Sequence, residues 1–188
     1  MNGKLFASLA GYVFLLYLVL LLPFHLYTPT NEFDLPNLLW LTHLLLLYIH
    51  EAGHLLFSIF GNTMMIMGGS LMQIMAPLAW YGVAMWEGSS LKNTALVFTG
   101  ISVVDVSIYV KDAGMLQLPL LGGLSKSHHD WATLMNDWGL IESSYAFGEV
   151  MFWIGMIVSG YGIYSGVMYS FGIYKTGSGE PTRSSDGQ

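Results

Sequence analysis

Residues 5–31 contain no Asp, Glu, Lys or Arg, and neither do residues 52–86. A helix needs about 20 mainly apolar residues to cross a hydrocarbon core about 30 Å thick, and both windows exceed that. Backbone groups facing lipid must be satisfied within their own helix, so windows of this kind restrict the chain to packed helices. Only 10% of the 188 residues are charged, against about 25% in an ordinary soluble domain. The mean hydropathy is +0.55. The expected fold is all-α: a polytopic, multi-pass membrane helix bundle of about five transmembrane helices. A single domain over residues 1–174 is expected, with a polar, Gly- and Ser-rich tail over 175–188 that is disordered.

The first helix is expected over 5–24, with Pro23 near its end. Lys4 before an apolar run resembles a signal peptide, but the run is too long and lacks a small-residue cleavage site, so the helix is retained. Residues 28–36 carry Glu32 and Asp34 and no basic residue, which favours the outer side. A second helix over 37–60 ends at Gly61-Asn62, a C-terminal signal. Gly68-Gly69-Ser70 and Pro77 interrupt the next apolar run. Residues 62–71 are therefore expected to be re-entrant or extended, with a third helix over 71–86. The fourth helix, 94–110, carries Asp105 at the depth of His54, and Lys111 and Asp112 mark its inner end. Pro119 and Gly122-Gly123 read as loop, Asp130 opens a short helical segment through Leu140, and the last helix runs over 149–174. Five alternating spans put the N-terminus and residues 111–145 on one side of the bilayer. Residues 28–36 and the tail fall on the other.

The second helix carries His50-Glu51-Ala52-Gly53-His54. Positions four apart share a helix face, so His50 and His54 can reach one metal ion. Glu51 sits about 100° round the helix, placed to serve an activated water rather than the ion. Ionisable groups at membrane depth are costly and mark function by default. The chain has no cysteine, which excludes disulfides, thiolate metal sites and a cysteine nucleophile. The ion must then be held by His, Asp or Glu, which suits Zn2+ or another divalent transition metal. The net charge of −6 argues against a nucleic-acid partner. His43 lies about 10 Å along the helix from His50, too far for the same ion, and reads as a hydrogen-bonded interior residue. A catalytic metal site keeps one coordination position open and needs a third protein ligand. The expected ligand is Asp130 with His129 beside it, with Asp105 as rival and His128 and Asp112 next in line. The loop must then fold back under the inner end of the second helix. Trp131 at the interface and Leu120, Leu121 and Leu124 against the bundle favour that. Gly68 and Gly69 offer a backbone a substrate strand could approach, or a close helix contact. Gln73 offers a donor to a substrate carbonyl or to a neighbouring helix.

His50-Glu51-Ala52-Gly53-His54 in a transmembrane helix, followed by Gly68-Gly69-Ser70 and Gln73 through Pro77, resembles the site-2 protease family of intramembrane zinc metalloproteases. The likeness covers residues 36–140. It implies that His50 and His54 bind zinc, that Glu51 is the general base, and that a later aspartate on another core helix completes the site. Asp105 is the nearest positional match, although neither an Asn-Pro-containing nor a Leu-Asp-Gly segment surrounds it. The substrate implied is a membrane-protein or peptide segment, unwound in or beside the bilayer. Two other readings are open: a membrane metal carrier or redox protein drawing on His43, His128 and the acids, and a scaffold without catalysis.

Overall fold

A computed structural model describes residues 3–172 except 33, 121, 122 and 124. The tail at 175–188 and the packing expected of Leu121 and Leu124 lie outside the described residues. Six α-helices account for most of the rest: α1 (Gly3–His25), α2 (Asn37–Phe57), α3 (Asn62–Trp86), α4 (Leu91–Asp112), α5 (Asp130–Asp137) and α6 (Ser144–Ser170). No strand occurs among the described residues. Among the described residues, four segments are long and apolar enough to cross a membrane: Leu5–His25, Asn37–Phe60, Leu91–Asp112 and Ile141–Ser170.

Helix α4 is the centre of the bundle. Val97, Ile101, Val104 and Ile108 are buried against Leu22, Leu26, Leu39 and Leu46 from α1, its exit and α2. Small residues let α4 and α6 meet backbone to backbone. A Cβ on Gly155 would stand 2.7 Å from the carbonyl oxygen of Gly100, and one on Gly162 would stand 2.9 Å from the nitrogen of Val97. With Gly148 against Lys111 at the other end, this order makes α4 and α6 antiparallel. Helix α1 is antiparallel to α6 as well. Ser8 and Ser170 share a 2.7 Å hydroxyl hydrogen bond, and Tyr27 donates to Glu149 at 2.9 Å.

It follows that α1 and α4 run in the same sense, and their C-termini meet. Lys111 Nζ donates to the Tyr27 carbonyl at 3.0 Å and pairs with Glu149 Oε2 at 2.8 Å. This corrects the expected alternation, in which the ends of the first and fourth helices lie on opposite sides. Lys111 is 0% exposed, so its charge is neutralised locally and does not report a side of the bilayer. Sequence patterning does not reveal a pairing between positions 38 residues apart on two different helices.

The third helix also differs from expectation. It is continuous from Asn62 through Gly68-Gly69-Ser70 and Pro77 to Trp86, with no extended segment. The glycines are absorbed by close packing on α2. A Cβ on Gly53 would meet the Gly68 carbonyl oxygen, and one on Gly68 would stand 2.5 Å from Phe57 Cβ. Pro77 has no N–H, which orphans the carbonyl four residues earlier. That carbonyl belongs to Gln73, and Ser102 Oγ donates to it at 2.6 Å. Helix α2 ends as expected: a 3-10 turn, Ser58–Phe60, leads into Gly61 at φ +97°, a left-handed conformation that suits glycine.

Candidate metal centre

Helix α2 presents His50 and His54 on the face that packs on α3. Gly69 of α3 lies directly beneath them, so close that a Cβ there would stand 2.5 Å from His50 Nε2 and 2.7 Å from His54 Nε2. The missing side chain leaves room for both rings, which meet edge to face at 4.7 Å.

The loop after α4 folds back to this place. Asp112, 0% exposed, anchors it by accepting from the backbone nitrogens of Gln117 at 2.7 Å and Leu118 at 3.1 Å. His129 Nε2 donates to Asp112 Oδ2 at 3.2 Å, while its Nδ1 accepts from Ala132 N at 3.1 Å and caps α5. Trp131 Nε1 donates to Ser70 Oγ of α3 at 3.0 Å. These bonds hold Asp130, the first residue of α5, over the two imidazoles. Its Oδ2 lies 3.1 Å from His50 Nε2 and 3.2 Å from His54 Nε2. Burial pushes the Asp130 carboxyl up, but the two imidazoles beside it, when protonated on Nε2 as well, outweigh it and bring its pKa down to about 2.

The donor set fits a divalent metal on two grounds. Ligand atoms about 2.1 Å from a tetrahedral ion lie roughly 3.4 Å from one another, close to the separations found. The second ground is protonation. His54 Nδ1 lies 2.9 Å from the Met65 carbonyl oxygen, which can only accept. Nδ1 therefore carries the hydrogen, and a neutral His54 turns its Nε2 lone pair toward a carboxylate oxygen. Such a contact needs a cation, either a proton on the ring or an ion shared by the group. His50, His54 and Asp130 each offer one atom, all within 4.8 Å of one another.

The remaining sequence candidates lie outside this three-atom cluster, although Gln73, Asp105, His128 and His129 line the cavity that it opens on. His129 is beside Asp130 in sequence, but both its ring nitrogens are engaged with Asp112 and Ala132, so it holds the loop rather than joining the cluster. Asp105 lies level with His43 rather than with His54: its Oδ1 accepts from His43 Nδ1 at 2.7 Å and its Oδ2 from Gln73 Nε2 at 2.7 Å. His43 is thus the hydrogen-bonded interior residue that its spacing suggested. Gln73 is 3% exposed, and its Oε1 accepts from His50 Nδ1 at 3.0 Å. Gly68 and Gly69 are buried inside α3. Gln73 and Gly69 support the cluster and Gly68 seats α3 on Gly53 and Phe57 of α2, and their helical backbone offers no edge to an extended substrate. His128 is exposed on the loop, its Nδ1 beside Ser127 Oγ at 3.3 Å. The anchoring role of Asp112 and the support from Ser102 and Ser70 are not visible in the sequence, apart from Pro77 placed four residues after Gln73.

The cluster opens on a cavity of about 280 Å³. Glu51 lines it with His50, His54 and Asp130, and Leu47, Ile66 and Leu120 supply apolar wall. Glu51 is exposed and has no hydrogen-bond partner among the described residues. No protein-family model, curated protein or solved structure matches the chain.

Proposed function

We propose that this chain is a multi-pass membrane metallopeptidase of the site-2 protease kind. It cleaves peptide bonds in or next to membrane-spanning segments, and His50, His54 and Asp130 hold zinc. One observation carries the reading: two imidazole nitrogens four residues apart on α2 converge on a single carboxylate oxygen brought from α5. The apolar segments support a membrane setting. Bound there, zinc supplies Lewis-acid polarisation of a carbonyl and a water acidified to a pKa of about 7.

The protein's own groups do the rest. Glu51 shares the cavity with the cluster and carries no competing hydrogen bond, so its carboxylate is available to take a proton from water and return it to the departing amine. Met65 O and Gln73 Oε1 fix the two rings so that each Nε2 faces Asp130. The apolar wall suits a hydrophobic segment, which must unwind because helical amides are closed to attack. A carrier or redox centre drawing on His43 has less support, since His43 Nδ1 is bonded to Asp105.

The test is cleavage of membrane peptides by detergent-purified protein. Glu51→Gln should retain the ion and lose turnover by at least about 100-fold, the scale of general acid–base catalysis. Undiminished cleavage by Glu51→Gln would remove the hydrolytic reading.

A further inference from the structure

Asp105, expected from its position to be a rival ligand, stands one residue removed from the metal cluster. Its two oxygens are divided between His43 Nδ1 and Gln73 Nε2, both at 2.7 Å. It is 3% exposed. A buried carboxylate accepts and does not donate, so the end of the Gln73 amide that faces it must be the NH2. The opposite end is then the oxygen, and it lies 3.0 Å from His50 Nδ1. A carbonyl oxygen can only accept, so His50 Nδ1 must carry the hydrogen. His50 Nε2 is left as the lone-pair atom, 3.1 Å from Asp130. Gln73 is itself held at its backbone, where Ser102 satisfies the carbonyl orphaned by Pro77. His54 needs no such chain, because Met65 O fixes its tautomer directly.

Taking the metal reading of His50, His54 and Asp130 as its basis, we infer that Asp105 and Gln73 are positioning residues which set the tautomer of His50 through a carboxylate–amide–imidazole chain. The inverse arrangement is equally well formed without this carboxylate. With Asn at position 105, the Gln73 amide can turn over and present its NH2 to His50 Nδ1. His50 would then carry its hydrogen on Nε2 and be lost as a ligand, with no ligand atom removed. Asp105→Asn therefore acts on ion binding from outside the ligand set.

This chain of bonds should also permit a rescue. Placing a carboxylate at position 73 and an amide at position 105 moves the charge one step along the chain and keeps every donor matched to an acceptor. The relocated carboxylate accepts from His50 Nδ1 and from the NH2 of the new amide, whose oxygen accepts in turn from His43 Nδ1. The experiment measures zinc affinity by chelator competition, and the visible spectrum of the cobalt-loaded form, in detergent-purified full chain. Wild type, Asp105→Asn and the double variant Gln73→Glu/Asp105→Asn are compared after gel filtration. Asp105→Asn should bind about 10- to 100-fold more weakly, the usual effect of removing an orienting partner. The double variant should return to within a few-fold of wild type with an unchanged cobalt spectrum, and it decides the matter even if Asp105→Asn fails to fold. A double variant that binds weakly, or with an altered spectrum, overturns the inference. Wild-type affinity in folded Asp105→Asn overturns it also. Wild type that binds neither ion overturns the metal centre itself, a distinct result.

Discussion

His50 Nε2 and Asp130 Oδ2 lie 3.1 Å apart across 80 residues of chain. The contact depends on the loop between α4 and α5 more than on either residue. His129 is the pin of that loop, 2% exposed, with one ring nitrogen on Asp112 and the other on Ala132 N. His129→Ala should cost about 1–3 kcal/mol, because it leaves a buried carboxylate oxygen short of a donor. It should also weaken ion binding by about 10- to 100-fold without removing a ligand. Thermal unfolding in detergent and chelator competition measure the two effects. Ion binding abolished outright in a folded His129→Ala protein would instead make His129 a ligand.

Gly69 gives a sharper steric prediction. A methyl group there would stand 2.5 Å from His50 Nε2 and 2.7 Å from His54 Nε2. Gly69→Ala must displace both rings, with an overpacking cost of about 1–3 kcal/mol and loss of ion binding. Gly82 lies on the same helix with nothing within 4 Å of an added Cβ. Gly82→Ala should bind normally and gain about 0.5–1 kcal/mol from reduced backbone freedom. Equal behaviour of the two variants would contradict the packing described.

Lys111 ties α4 and α6 to the exit of α1 at one end of the bundle, with its ammonium 2.8 Å from Glu149 Oε2 and 3.9 Å from the centre of the Tyr27 ring. Removing one member of a buried pair strands the other, at about 3 kcal/mol or more. Glu149 is 28% exposed at its side chain, so the lower end applies. Lys111→Met should destabilise by about that amount, and adding Glu149→Gln should recover much of it. A double variant as unstable as the sum of the two single ones would show that the pair does not couple.

The parallel sense of α1 and α4 has a topological consequence. If both cross the bilayer, residues 28–36 and the loop after Asp112 emerge on one side. Single cysteines at Thr30 and Ser125, both exposed, should be labelled by an impermeant reagent from the same side in a chain that has no cysteine of its own. Labelling from opposite sides would restore the alternating arrangement and contradict the contacts between Tyr27, Lys111 and Glu149.

Local chemistry was legible in the sequence where it depended on helical spacing. His50 and His54 on one face, the glycine stop after α2, and the separation of His43 all follow from a 1.5 Å rise and 3.6 residues per turn. What spacing cannot give is the partner on another helix. Gly68-Gly69 reads as a break until α2 is seen pressed against it, since a glycine pair suits a helix when the neighbour leaves no room for a Cβ. Asp105 and Asp130 compete as ligands in the sequence because depth along a helix follows there from an alternating topology. In the structure Asp105 lies level with His43, and the Gln73 bridge separates it from the cluster.

The central claim is that His50, His54 and Asp130 form one metal site. Its most direct test is metal content by mass spectrometry of detergent-purified protein after mild dialysis. Roughly one zinc per chain is predicted for wild type and for Glu51→Gln, as a single three-ligand site requires, with near-complete loss in His50→Ala, His54→Ala and folded Asp130→Ala. Zinc retained at the wild-type level in Asp130→Ala, or absent from wild type under loading, would contradict it.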